Sequence, residues 1–228
     1  MTVWRARSKP RAMDNNQISE IQSCIGYEFK NADLLTAAFT HSSYVNEHPG
    51  VANERLEFLG DCVLDFLVGE KLFLSDRTAM EDKLSKSRSA IVSEIPLSGI
   101  IDELGLLQYL QVGAGVDKIK LKEKARSDLF EAILGAVYLD GGMEACKNVL
   151  EKIFYPLVKP AFDYKSELQV YAVKNSLGIN YETSGKEGGF KSVVTVGDYK
   201  FCGEGQNKRN AERAAAKTAY EFFIQNKK

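Results

Sequence analysis

The chain has 228 residues, a formal net charge of −1, 44% hydrophobic residues and 27% charged residues. This composition supplies both a core and a charged surface, which excludes disordered, collagen-like and fibrous proteins. The apolar runs stay below the roughly 18 residues that a membrane helix needs, which excludes an integral membrane protein. The four cysteines form no CxxC pair and no signal peptide follows the start, so we expect reduced thiols and a cytoplasmic location.

The first two thirds of the chain carry the pattern of a helical domain. Residues 1–14 form a basic arm that we expect to be disordered. From residue 15 to residue 155, apolar positions recur at helical spacing. Helices are predicted at 18–25, 31–40, Glu54–Leu74, Met80–Leu97, Ile100–Leu107 and Ala125–Leu139. Two prolines, Pro156 and Pro160, then interrupt the pattern, so a linker is predicted at 156–163.

Residues 164–228 change to a mixed pattern. Helices are predicted at 166–176 and 208–224, and strands at Ile179–Thr183, Lys191–Val196 and Tyr199–Gly203. Glycine-rich turns at Gly185–Gly189 and at Gly197-Asp198 separate the strands. The sequence therefore predicts a mostly α domain followed by a small α+β domain with the order α-β-β-β-α.

Acidic residues share one face of the helix that begins at Glu54. At about 100° per residue, Glu54, Glu57 and Asp61 fall within an arc of about 60°. Asp128 and Glu131 repeat the three-residue spacing inside a largely apolar helix. If the two helices pack together, four carboxylates converge in a site that suits Mg²⁺ or Mn²⁺ and not zinc. The alternatives are an exposed acidic face and a favourable charge at a helix N-terminus.

Three segments together resemble a known family. Asn53-Glu-Arg-Leu-Glu-Phe-Leu-Gly-Asp61 resembles the signature of the ribonuclease III family, and Thr40–Tyr44 and Ser127–Gly135 resemble its flanking motifs in order and spacing. The resemblance begins at about residue 18 and extends to the C-terminal part, which is similar to a double-stranded RNA-binding domain. It implies the class 1, bacterial-type layout: an endonuclease domain of the ribonuclease III fold at 15–155 and a double-stranded RNA-binding domain at 164–228.

The resemblance also implies an activity and a set of site residues. The activity is that of a homodimeric endoribonuclease that hydrolyses double-stranded RNA to 5′-phosphate and 3′-hydroxyl ends with short 3′ overhangs. Its cofactor is Mg²⁺, with Mn²⁺ as a substitute, and a bound water attacks phosphorus in line. The implied catalytic and metal-binding residues are Glu57, Asp61, Asp128 and Glu131, with Glu81 as a further acid of the metal site and Glu54 close to the RNA.

The RNA-binding residues are expected in the C-terminal domain. Lys208 and Arg209 begin its last helix, where the helix dipole and exposed N–H groups favour phosphate. Gln169 on its first helix is the expected minor-groove contact. The segment Ser184–Gly189 is shorter than is usual in the family and lacks the family's histidine, which predicts RNA binding that is weaker or more dependent on the endonuclease domain. Phe58 on the signature helix is either a dimer-interface residue or an ordinary core residue.

Several alternatives stay open at this point. His41 is expected to pack or to cap a helix, because no Asp-His-Ser order supports a catalytic triad. Cys62 stands where the family commonly has serine or alanine, a small-for-small exchange. The rival hypothesis is a protein that binds and sequesters duplex RNA without catalysis. The overall resemblance further suggests a member encoded by a plant virus, acting in the host cytoplasm on small interfering RNA to suppress silencing.

Overall fold

The computed structural model of the protein describes residues 13–158 and 164–225. The chain divides into two compact units, Met1–Ala161 and Phe162–Lys228. Most of the predicted arm and of the predicted linker lies outside the described residues. The last two residues of the predicted arm are described: Met13 is buried, and the Asp14 carboxylate accepts a hydrogen bond from the backbone N–H of Gln17 at 2.8 Å, which caps the first helix.

The first unit is built from α-helices. They are α1 (Asn15–Ile25), α2 (Ala32–Ala38), α3 (Ser42–Val45), α4 (Glu54–Ser75), α5 (Glu81–Ile91), α6 (Glu94–Glu103) and α7 (Glu123–Val149). Short 3-10 helices lie at Leu106–Tyr109 and Lys118–Lys120, and a π-helical segment, Leu150–Phe154, follows α7. Helix α7 packs against α4, α2 and α6, and one hydrophobic core joins them. The predicted helical class of this unit is confirmed, and the two acid-bearing helices lie side by side.

The prediction of one helix over Met80–Leu97 was wrong, because the chain forms two helices there. Helix α5 ends at Ile91, and α6 begins at Glu94 after Ser93, whose backbone is extended. Pro96 explains the break. It has no N–H to donate, so it fits only within the first turn of a helix, and it is the third residue of α6. The helix predicted to begin at Ile100 is accordingly the second half of α6.

Helix α7 extends ten residues beyond the predicted end at Leu139. Gly142, with φ of 77°, interrupts its regular backbone, but the helix continues and buries Cys146 and Val149 on the core side. Just before this break, the Asp140 carboxylate accepts hydrogen bonds from the Tyr27 hydroxyl (2.8 Å) and from the backbone N–H groups of Lys30 (2.8 Å) and Asn31 (2.9 Å). Asp140 therefore ties α7 to the segment between α1 and α2.

The second unit is the predicted α-β-β-β-α domain. It consists of α8 (Tyr164–Lys174), β1 (Ile179–Lys186), β2 (Gly189–Val196), β3 (Tyr199–Gly205) and α9 (Lys208–Gln225). The strands form an antiparallel sheet in the order β1-β2-β3. Helix α9 packs on this sheet and against α8, and the core includes the apolar side chains Leu168, Ala172, Val194, Val196, Ala215, Ala216 and Ala219. Small alanines allow α9 to lie close to the strands.

The turn predicted at Gly185–Gly189 is shorter than expected. Strand pairing runs to the end of the hairpin, where Lys186 pairs with Gly189, so only Glu187 and Gly188 form the turn. Gly188 has a left-handed backbone with φ of 82°, a conformation that glycine adopts without the steric cost that a side chain would bring. The predicted turn at Gly197-Asp198 is confirmed, because Val196 pairs with Tyr199 across it.

Across 13–158 and 164–225, no helix combines the length and the apolar character that crossing a membrane requires.

Candidate active site

Two glycines bring the backbones of α4 and α7 into direct contact. A Cβ added to Gly60 would overlap the carbonyl oxygen of Glu131, and a Cβ added to Gly135 would overlap the carbonyl oxygen of Leu56. Any side chain at either position would hold the helices apart. The glycines therefore allow short acidic side chains on the two helices to reach each other, and both belong to the segments that resemble the family motifs.

Three carboxylates converge at this contact. One oxygen from each of Glu57, Asp128 and Glu131 lies within 4.8 Å of the other two, and all three side chains are partly buried. Glu57 comes from the first turn of α4, and the other two come from α7. Oxygen ligands in this arrangement are those that Mg²⁺ and Mn²⁺ accept. The donor set fits a divalent cation.

The remaining predicted acids lie around this group, not within it. Asp61 is exposed on α4, and its charge raises the pKa of Glu131, so it lies beside the three. Glu54 is exposed, and its charge acts on Glu57. Glu81 is the first residue of α5, and its carboxylate accepts a hydrogen bond from the Ser85 hydroxyl at 2.7 Å. Among the described residues, the oxygens of Glu57, Asp128 and Glu131 lie within 4.8 Å of one another, and Asp61, the fourth predicted ligand, lies beside them.

Crowding of the carboxylates changes their protonation. Burial, followed by the charges of Asp61, Asp128 and Glu57, raises the pKa of Glu131 to about 8. Burial and the charge of Asp128 raise the pKa of Glu57, while Lys124 lowers it. Although the Asp61 residue is exposed, partial desolvation of its carboxylate, followed by the charge of Asp65, raises its pKa. These directions are those expected where negative charges share a partly desolvated space, and a cation would offset their repulsion.

Lys124 supplies a positive charge that the sequence reasoning missed. Its Nζ donates to both carboxylate oxygens of Asp128, at 2.8 and 3.0 Å, and lies 3.6 Å from Oε1 of Glu57. The signal was present in the sequence, since Lys124 and Asp128 are four residues apart on one helix. The contact to Glu57 required the packing of α4 on α7, which the spacing alone does not give.

The side of α4 that faces away from the core exposes aromatic side chains. Phe58, Phe66 and Phe73 are 73%, 57% and 67% exposed, and their spacing places them within an arc of about 80° on the helix. Phe58 is therefore not a core residue of the single chain. His41 has the capping role: its Nδ1 accepts a hydrogen bond from the backbone N–H of Ser43 at 3.2 Å, at the start of α3.

In the second unit, the predicted RNA-binding residues lie on two helices. Gln169 is exposed on α8, and Lys208 and Arg209 are exposed in the first turn of α9. Glu212, one turn further along α9, lies 4.0 Å from Lys208 and forms a 2.7 Å ion pair with Lys165 of α8. The backbone N–H of Asn210 donates to the Asn207 side chain at 2.8 Å, so this end of α9 combines a capped first turn with two exposed cations.

Two family models match the chain. Residues 31–157 match the model described as ribonuclease-III-like, and residues 164–222 match the double-stranded RNA binding motif. Among curated proteins, ribonuclease 3 of Listeria monocytogenes is 36% identical over 226 residues, which are 92% of this chain and 99% of that protein. Ribonuclease 3 of Enterococcus faecalis is 38% identical over 230 residues, 93% of this chain and 100% of that protein.

Solved structures are similar to the first unit. The nuclease domain of ribonuclease III from Campylobacter jejuni, described for flexibility in a region involved in dimer formation, is 37% identical with a TM-score of 0.58, and the match covers 61% of this chain and 97% of that chain. Dicer from Giardia intestinalis matches with a TM-score of 0.50 at 19% identity, over 64% of this chain and 20% of that chain. The second similarity concerns the fold alone.

Proposed function

This chain belongs to the ribonuclease III family, and we propose that it cleaves double-stranded RNA at a divalent-cation site formed by Glu57, Asp128 and Glu131, with Asp61 beside them. The class 1 layout predicted from the sequence is confirmed, because a ribonuclease-III-like segment is followed by a double-stranded RNA binding motif. The protein is an endoribonuclease specific for double-stranded RNA.

The convergence of three carboxylates from two helices is the observation that carries the proposed site. Negatively charged side chains repel each other and normally lie apart on a protein surface. Here the close packing of α4 on α7 at Gly60 and Gly135 keeps the oxygens of the three carboxylates within 4.8 Å of one another. This arrangement favours catalysis over the rival hypothesis of a protein that only sequesters RNA, because binding alone gives no reason to bring acids together where RNA phosphates would approach.

Each residue of the site has a defined part. Glu57, Asp128 and Glu131 would hold the cation through carboxylate oxygens, and Asp61 adds negative charge beside them. The bound cation would stabilise the negative charge that develops on the phosphodiester and lower the pKa of a water. Glu131, whose pKa is about 8, must release its proton to become a ligand at neutral pH. Glu81 and Glu54 are proposed to face RNA or solvent at the edge of the site.

Cleavage of a long RNA duplex tests this site. Glu131→Gln should lose cleavage by at least about a hundredfold in the presence of Mg²⁺, as expected when a metal ligand is removed, and should still bind the duplex. Glu144→Gln, which changes an exposed glutamate elsewhere on α7, is the matched control and should cleave normally. Chelation of the cation with EDTA should likewise stop cleavage by the wild type while leaving its binding of the duplex intact. Near-normal cleavage by Glu131→Gln would rule out the assignment.

RNA binding is proposed for Gln169, Lys208 and Arg209, and dimerisation for Phe58. The exposed aromatic face of α4 supports the second proposal, since large apolar side chains that are left in water mark interfaces. The relative from Campylobacter jejuni, with a region involved in dimer formation, points the same way. A dimer would place two sites on one duplex, one for each strand.

Mg²⁺ as the natural cation, a cytoplasmic location and the degradation of small interfering RNA stay predictions, as does a plant-virus origin. The cleavage assay can be extended to a duplex of about two helical turns, and failure to cut it would contradict a role against small interfering RNA. The hairpin between β1 and β2 ends in a two-residue turn, which supports the expectation that this segment is short and that RNA binding is weaker there or depends more on the endonuclease domain.

A further inference from the structure

We propose that the ammonium group of Lys124 takes the place of the cation among the three carboxylates, so that a divalent ion must displace Lys124 to bind. Lys124 would then set the concentration of metal at which the site becomes loaded. This inference rests on the proposed metal-dependent function and adds a residue that competes with the metal for the same ligands.

The contacts of Lys124 place its charge between the two acidic helices. Its ammonium group donates to both oxygens of Asp128, at 2.8 and 3.0 Å, along α7. The same nitrogen lies 3.6 Å from Glu57 on α4. Both acids belong to the group of three whose oxygens lie within 4.8 Å of one another. A cation that binds Asp128 and Glu57 together therefore competes with this nitrogen for the oxygens of the same two carboxylates.

The energetics of the helix do not explain a lysine at this position. Lys124 is the second residue of α7, where the positive end of the helix dipole disfavours a cation. A lysine placed N-terminal to its acidic partner is also the less favourable direction for a pair four residues apart. The carboxylates give the reason instead, since they need a positive charge whenever no metal is bound.

Displacement is physically accessible. The Lys124 side chain is 63% exposed, so its ammonium group can return to water without crossing a packed surface. Exposed ion pairs of this kind are weak individually, and lysine carries a compact charge on a flexible stem. A divalent ion that binds the same oxygens directly brings twice the charge. The lysine therefore lowers the metal affinity without preventing metal binding.

Metal binding in the absence of RNA tests the inference without reference to activity. The intact protein is titrated with Mn²⁺ in about 0.1 M salt, where charges beyond about 10 Å are screened, and free Mn²⁺ is measured by electron paramagnetic resonance. Lys124→Met should bind Mn²⁺ about five- to tenfold more tightly, the change expected when two exposed ion pairs no longer compete. Lys124→Arg, which keeps the charge, should retain an affinity close to that of the wild type.

Lys122→Met is the matched control, because it removes the same charge from the exposed residue that precedes α7. It should leave the affinity almost unchanged. Urea unfolding in EDTA checks that each variant folds, and Lys124→Gln replaces Lys124→Met if the latter does not. An affinity for Mn²⁺ that is equal to or weaker than that of the wild type in the neutral variant would overturn the inference.

Glu131→Gln in the same titration separates this inference from the proposed function. If the wild type binds Mn²⁺, Glu131→Gln loses it and Lys124→Met is unchanged, the metal site stands and the role of Lys124 is wrong. If the wild type binds no Mn²⁺, both the metal site and the role of Lys124 are wrong. A tighter Lys124→Met together with a defective Glu131→Gln supports both.

Discussion

Gly60 on α4 lies directly against the backbone of Glu131 on α7, and a single methyl group on Gly60 would overlap the Glu131 carbonyl oxygen. The residue that lets the helices touch is thus in contact with the residue whose carboxyl group is the most perturbed in the site. Helix packing and the position of the acids depend on the same few atoms.

Gly60→Ala should therefore destabilise the protein by about 1 to 3 kcal/mol or more, the range for overpacked cores. Gly69→Ala on the same helix is the control, since its added Cβ would meet only Arg88, at 3.9 Å, and alanine favours a helix by about 1 kcal/mol over glycine. Urea unfolding in EDTA measures both. Equal stabilities for the two variants would contradict the close contact.

The raised pKa of Glu131 makes the stability of the metal-free protein depend on pH. The folded value is about 8 and the ordinary value is 4.5, so between these values the folded state holds a proton that the unfolded state has released. Stability should fall as the pH rises through this window, by up to about 4 kcal/mol. The free energy of unfolding is measured with urea in EDTA at a series of pH values from about 5 to about 8, which spans most of the interval between the two pKa values.

Glu131→Gln is the control for this pH dependence. Glutamine cannot ionise, so most of the loss of stability with rising pH should disappear in this variant. A wild type and a Glu131→Gln variant with the same pH profile would show that Glu131 ionises at its ordinary pKa in the folded protein.

Phe58→Ala should weaken self-association by about tenfold or more, because buried aromatic residues near the centre of an interface typically contribute more than about 1 kcal/mol. Ile119→Ala removes a side chain that is 84% exposed outside α4 and serves as the control. Sedimentation velocity over a range of concentrations measures the dimer dissociation constant. If Phe58→Ala has the same dimer dissociation constant as the wild type, the aromatic face of α4 is not the dimer interface.

The double variant Lys208→Ala and Arg209→Ala should weaken the binding of every duplex sequence alike. Each lost phosphate contact should also reduce the slope of log affinity against log salt by about 1. Lys200→Ala, which changes an exposed lysine of β3, is the control. Fluorescence anisotropy at several salt concentrations gives both quantities, and an unchanged slope would place the phosphate contacts elsewhere.

The sequence was sufficient to predict the helical class of the first unit, the element order of the second unit and three converging acids, for identifiable reasons. Helical spacing placed Glu57, Asp128 and Glu131 on their helices, and the alternation of strands and glycine turns predicted the small domain. The pattern did not predict the end of α5, because apolar spacing continues through Val92 and only Pro96 requires a new helix. Local signals of this kind are easily missed when periodicity is read over longer windows.

The remaining details depend on packing between distant segments. The contact of Lys124 with Glu57 joins residues 67 positions apart in the chain, and it forms only because Gly60 and Gly135 allow α4 and α7 to touch. Asp61 lies on the same face of α4 as Glu57, and Glu81 begins α5. Neither is among the three residues whose oxygens converge within 4.8 Å. Spacing along one helix gives a direction, whereas the distance between helices is set by the residues at their contact.

Glu57 and Phe58 are adjacent on α4, one directed at the proposed ion and the other exposed at the proposed dimer contact. A helix moves as a stiff rod, so a shift that repacks one of these side chains also displaces the other. Under the proposed function, self-association and ion affinity would be linked reciprocally, as two ligands of one allosteric unit are. Dilution of the enzyme would then weaken its hold on the ion, and saturating ion would favour the paired form.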